Sequence, residues 1–176
     1  MHFLLQIREL AGWLVYQRYL CCMGYKDIPP GSVLKWIKEQ FEGNVVTESR
    51  SPAGNWLGFT LERIKKGEAT LSLEIRNEMT NPYGNIHGGM MSLVIDEALG
   101  WAVVSLDASQ NYTSLTLNVD FLYAVKKGER MRAESKVLRT GKKIINVECH
   151  VYDMQGRILA RANSNLIATH MEFNEE

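Results

Sequence analysis

Cysteine is scarce in this chain: three in 176 residues, the adjacent Cys21 and Cys22 and a distant Cys149. An odd number with no Cys-x-x-Cys pair argues against a disulfide framework or a thiolate zinc site, and fits a reducing compartment. A surplus of charge of one sign is also lacking, since Lys+Arg and Asp+Glu are both 20. A nucleic-acid partner calls for a basic stripe along the phosphate backbone, so that class is set aside. A small phosphorylated ligand held by a few local cations is not. No apolar run reaches the roughly 20 residues that cross a bilayer. Phe3-Leu4-Leu5 is cut short by Arg8 and Glu9, a poor leader core, which leaves the cytoplasm as the expected location. His2, His87, His150 and His170 show no ligand spacing, so neither a metal nor another cofactor is expected.

What is present is enough for one domain with a full core and too little for two of ordinary size. Residues 3–22 carry apolar side chains at helical spacing (Phe3, Leu4, Ile7, Leu10, Ala11, Leu14, Val15). After Pro29-Pro30-Gly31, Ser32 stands where an N-cap belongs and Val33, Leu34, Trp36, Ile37 and Phe41 predict a second amphipathic helix, ended by Gly43-Asn44. Residues 1–45 thus read as a helical extension and residues 46–176 as the main domain. From Trp56 the period becomes two, with a turn at Lys65-Lys66-Gly67-Glu68, which predicts a hairpin. Residues 77–86 form a loop rich in Asn, Pro and Gly. Residues 88–106 form a helix apolar nearly all round, hence buried on most sides. Four strands follow, over about 112–125, 129–139, 143–153 and 157–169, punctuated by Lys127-Gly128, Thr140-Gly141 and Gln155-Gly156. With no second helical layer to cover it, the central helix must be wrapped by a curved antiparallel sheet of about six strands. The class is α+β.

The chemistry concentrates in residues 81–96. Gly88 and Gly89 open the buried helix, where backbone N–H groups lack intrahelical partners and the dipole is positive. Without a Cβ, glycine lets a ligand oxygen approach those groups, which suits a carbonyl that becomes an oxyanion. Two glycines also serve a tight loop-to-helix turn. Asp96 falls inside Leu93-Val94-Ile95 and Ala98-Leu99 on the same helix, where a carboxylate is costly unless paired or used, which marks it as a candidate base. Glu97 points roughly 100° further round. Asn81 starts an Asn-Pro turn and stands equally well as a turn former or a polar contact to substrate.

The run Asn81-Pro82-Tyr83-Gly84-Asn85-Ile86-His87-Gly88-Gly89 followed by Asp96 resembles the hotdog-fold acyl-CoA thioesterase superfamily, in its phenylacetate-degradation and 4-hydroxybenzoyl-CoA thioesterase-like branch. The resemblance covers about residues 55–170. It implies Asp96 as base or nucleophile, Gly88 N–H as oxyanion donor, His87 as an orienting group and Asn81 as a contact to the carbonyl or the water. Gly89 and Ser114 are implied beside the substrate, and the loop Arg139-Thr140-Gly141-Lys142-Lys143 at the CoA phosphates, with Lys126-Lys127 a competing cationic turn. The substrate would be an acyl-CoA, with coenzyme A part of it and not a cofactor. Trp101, Met90, Met91, Phe121 and Tyr123 are candidates to line the acyl pocket or simply to fill the core.

Spacing bears on assembly. Eight residues of helix separate Gly88 from Asp96 by about 12 Å and about 80°, whereas a base must come within about 3 Å of its proton. One helix cannot present both to one thioester, so two chains with antiparallel helices side by side, a homodimer or a pair of dimers, are expected. Two rivals remain: a hotdog dehydratase, which would carry a His-Phe-Pro type segment that is absent, and an acyl-CoA-sensing domain, which would lack the acid.

Overall fold

The computed structural model describes residues 28–29, 31–108 and 110–169. The helix expected over residues 3–22, with Cys21 and Cys22, lies outside them. In chain order the elements are α1 (Val33–Phe41), α2 (Pro52–Leu57), β1 (Thr60–Lys65), β2 (Glu68–Glu74), a 3-10 turn (Asn77–Met79), α3 (Gly88–Val104), β3 (Asn111–Phe121), β4 (Arg130–Thr140), β5 (Ile144–Asp153) and β6 (Ile158–Thr169). The strands form one antiparallel sheet in the order β1-β2-β4-β5-β6-β3. It curls around α3, which buries Met91, Val94, Ile95, Ala98, Leu99, Trp101, Ala102 and Val103. This is the hotdog arrangement expected from the sequence.

One local expectation is corrected. Trp56 and Leu57 do not begin a strand; they close the helix α2. Ser51 caps it by accepting from the Gly54 N–H at 3.0 Å, Pro52 takes the first turn, and Gly58 ends it at φ +62°. These are strong start and stop signals, and they override the alternation that follows. Ser32 does precede α1, though its side chain makes no cap bond. The third strand also ends sooner than expected, at Phe121, because the N–H groups of Leu122 and Tyr123 both turn to the Leu159 carbonyl and leave the ladder.

The core joins α1 to the sheet. Val33 and Ile37 are buried with Val46, Phe59 and Leu61. Trp101 of α3 sits edge-on to Phe41 at 5.3 Å and to Phe59 at 5.9 Å, and Trp36 meets Phe41 at 5.5 Å. Such edge-to-face pairs add to the burial of large rings. The buried Ser135 hydroxyl lies 2.6 Å from the Ala98 carbonyl and 3.2 Å from the Ala69 carbonyl, satisfied between helix and sheet. The two sheet edges differ. Residues 42–46 lie along β1, with the Gly43 N–H donating to Leu61 and the Val46 N–H to Phe59. Among the described residues, β3 has a strand neighbour on one side only.

Candidate active site

The loop before α3 folds around Asn81. Its side-chain oxygen accepts from the N–H groups of Tyr83 (2.9 Å) and Asn85 (3.2 Å), while the Asn81 N–H donates to the Asn85 carbonyl. Gly84, at φ +73°, makes the reversal. The turn-forming role of Asn81 is therefore real, and it leaves the amide –NH2 as the group able to donate to a ligand. The loop is anchored by the His87 N–H on the Met79 carbonyl and the Ile86 N–H on the Val125 carbonyl, each at 2.8 Å.

His87 is the N-cap of α3. Its Nδ1 accepts from the Gly89 N–H at 2.9 Å, so the neutral ring carries its proton on Nε2. That bond removes Gly89 from the pool of free donors. The Gly88 N–H, first of the helix, makes no hydrogen bond among the described residues. A Cβ at Gly88 would meet the tip of the Phe121 ring at 3.4 Å, so that half-exposed ring walls the glycine on one side.

Further along α3, Asp96 faces the edge strand, where its Oδ1 accepts from the Ser114 hydroxyl at 2.9 Å. The two line an open groove of about 400 Å³ between α3 and β3, with Gly89, Ser92, Leu93 and Leu117. Asp96 is half-buried, not sealed in the core as the apolar run around it implied. The carboxyl that burial does push above the ordinary range is that of Glu97; the negative charge of Asp96 adds to the effect, while the Ser51 hydroxyl and Trp101 oppose it.

A bulge aims Ser114. The β3–β6 register slips between Ser114 and Thr116, so Leu115 is pushed out and stands 56% exposed. Were Leu115 paired in turn, strict alternation from Ser114 would place Thr116, and not Leu117, on the helix side. With it, Ser114, Leu117, Val119 and Phe121 share the face toward α3, paired with the buried Leu166, Ser164, Ala162 and Ala160 of β6.

Arg139, Lys142 and Lys143 are exposed on the β4–β5 turn. Gly141 is obligatory there, since a Cβ would lie 2.8 Å from the Ile144 carbonyl. The turn is tied to the start of β3 and the end of β6, through the Gln110 side chain on the Lys142 carbonyl (3.3 Å) and the Ala168 N–H on the Lys143 carbonyl (2.8 Å). It therefore sits beyond the Ser114 end of β3, the end away from Phe121 and Gly88. Of the proposed acyl-pocket residues, Met91 and Trp101 are buried in the core, whereas Phe121 and Tyr123 are each 56% exposed. Sequence reasoning missed Ser51, Gly54, Arg76 and the wall made by Phe121; the Ser51-Pro52 pair with Gly58 was the one signal that would have revealed α2.

Three comparisons bear on this geometry. A family model described as the thioesterase superfamily matches residues 83–160. A protein of Sulfurisphaera tokodaii, provisionally named an esterase, is 30% identical over 122 residues, 69% of this chain and 90% of its own length. Among solved structures, a hypothetical thioesterase of Streptococcus pneumoniae crystallised with coenzyme A superposes with TM-score 0.60 at 22% identity, covering 63% of this chain and 85% of that one. The PaaI protein of the E. coli phenylacetic acid degradation operon superposes with TM-score 0.64 at 19% identity, covering 68% and 85%. At these identities the superpositions establish the fold.

Proposed function

The chain belongs to the thioesterase superfamily, a family of thioester hydrolases, and from that premise we propose that it hydrolyses acyl-CoA at a site shared between two copies of itself. One observation carries the reading: α3 begins with a bare Gly88 N–H and, eight residues on, presents Asp96 to the open groove beside β3. A donor for an oxyanion and a carboxylate base lie on one rod, too far apart to meet on one carbonyl. A second copy laid antiparallel along the groove, β3 beside β3, brings each donor to the other's carboxylate. The side of β3 that has no strand neighbour among the described residues and the exposed Leu115 fit such a seam.

In this reading the carbonyl oxygen accepts from the Gly88 N–H, supported by the Asn81 –NH2 and the Nε2–H of His87. Asp96 of the partner, oriented by its Ser114 hydroxyl, takes a proton from water as the water oxygen attacks the carbonyl carbon. The tetrahedral intermediate then collapses, the C–S bond breaks and CoA leaves as thiolate, to be protonated. Direct attack by Asp96, giving a mixed anhydride that water then cleaves, uses the same groups. Because the β4–β5 turn lies at the Asp96 end, Arg139, Lys142 and Lys143, shaped by Gly141, are placed to hold the CoA phosphates of the composite site, with Gly89 lining the passage. Residues 46–176 make up this catalytic domain and residues 1–45 an extension to it.

The test is thiol release across a panel of acyl-CoAs. Wild type should turn over, and Asp96→Asn should lose about 10²–10⁴-fold in kcat while still binding substrate. A wild type that binds acyl-CoA without releasing thiol would make the chain a sensor instead and overturn the reading.

A further inference from the structure

The Glu97 side chain has no part in the hydrolysis just described, yet its surroundings are built around it. Its Oε1 accepts from the Ser51 hydroxyl, which also caps α2. Opposite stands Gly54, whose Cβ, if present, would come 2.6 Å from Glu97 Oε2 and 2.9 Å from Cδ. With any larger residue at 54 the carboxyl would have to leave its present place. Burial holds that carboxyl toward its protonated form, against the Ser51 hydrogen bond, which favours the charged one.

The other end of α2 is fastened as well. The Arg76 guanidinium donates to the Leu57 carbonyl and, at 2.9 Å, to the Trp56 carbonyl, and lies 5.1 Å above the Trp56 ring. Arg76 in turn leads straight into the Asn77–Met79 turn, whose last carbonyl receives the His87 N–H. A six-residue helix of about 9 Å thus spans from the middle of α3, beside Asp96, to the loop that carries Asn81 and His87.

We propose that Glu97 is a positioning residue: by gripping Ser51 it makes α2 a strut between the carboxylate-bearing middle of α3 and the loop that forms the oxyanion end, and so holds the two in register. The inference rests on the catalytic reading of Asp96. Three variants test it. Glu97→Ala removes the grip. Gly54→Ala leaves Glu97 in place but drives a Cβ into its carboxyl. Glu97→Gln keeps an oxygen for the Ser51 hydroxyl. Misplacement of a reacting group by about 1 Å costs on the order of 10²-fold. The first two variants should lose at least about tenfold in kcat, with KM changed less than about threefold, and Glu97→Gln should stay close to wild type. Val147→Ala, a core change on β5 far from α2, gives a folded control for lost stability alone and should keep its kcat below its Tm. If Glu97→Ala does not fold, Ser51→Ala carries the same expectation. Folded Glu97→Ala and Gly54→Ala with wild-type kcat would overturn the proposal, as would Glu97→Gln failing as badly as Glu97→Ala. If instead Asp96→Asn matches wild type, it is the hydrolase reading that has failed.

Discussion

Gly88→Pro is the substitution that isolates the proposed oxyanion donor. Proline at the first position of a helix loses an N–H that the helix itself does not use, and its fixed φ is already helical. Residue 88 is that position in α3, and its N–H has no hydrogen bond to lose among the described residues. The residue before a proline must be extended, and His87 already is, at φ −68° and ψ 138°. An added Cβ at residue 88 meets only the tip of Phe121, a half-exposed ring. The fold should therefore be unharmed, or gain about 0.4–1 kcal/mol because the unfolded chain is stiffer. Loss of one oxyanion donor costs about 10²–10³-fold in kcat, or about 2.7–4 kcal/mol. The assay is kcat by thiol release together with Tm by calorimetry. Gly89→Pro serves as the contrast, because it deletes the bond to His87 Nδ1 and should cost about 0.5–2 kcal/mol of stability as a lost cap. Gly88→Pro with an unchanged Tm and an unchanged kcat would refute the assignment of that N–H.

Mixing Gly88→Pro with Asp96→Asn chains and allowing exchange should restore about a quarter of wild-type activity, since half the dimers are mixed and each has one intact site; activity no greater than the sum of the two variants would exclude shared sites. Replacing Lys142 and Lys143 together by Ala should raise KM for acyl-CoA by about tenfold or more, the loss of two charge-assisted phosphate contacts, and leave KM for a thioester without the nucleotide unchanged. The Cys149 thiol is pushed up to about 12, chiefly by burial with Glu134 and Glu148 adding, so a thiol reagent at pH 8 should spare it in the native chain and label it after unfolding, read by peptide mass mapping. The raised Glu97 carboxyl stabilises the fold while protonated, and that contribution fades as pH rises through its folded value. Glu97→Gln, which cannot ionise, should therefore melt higher relative to wild type at pH 7 than at pH 4.

Much of the architecture was legible because it rests on periodicity. A helix apolar on nearly every side has to be enclosed, and the four strands after it were marked by turn residues within a few positions of their true ends. The site's first residues were legible for a different reason: His87, Gly88, Gly89 and Asp96 follow each other closely in the chain, so their spacing is itself geometry. What was hidden depends on contacts between distant segments. Nothing in the local pattern around Glu97 tells that Ser51 and Gly54, more than forty positions earlier, make a socket for it. The half-exposure of Asp96 was hidden as well, because an apolar run implies burial only if a neighbour covers that face, and here the face opens on the edge strand. Ser114 was reached through resemblance alone, since a serine in a strand is commonplace and the slip that aims it leaves no trace in composition.

That slip has a consequence of its own. Because Leu115 stands outside the ladder, β3 is two half-strands running out of phase, one presenting Ser114 to the carboxylate and the other presenting Leu117 through Phe121 to the helix. Only with Leu115 outside the pairing can Ser114 and Leu117, three positions apart, face the helix together; one residue added or removed between Leu117 and Phe121 would turn part of the strand to its other face. Chain length is thus held to the residue along the half of β3 that follows the bulge.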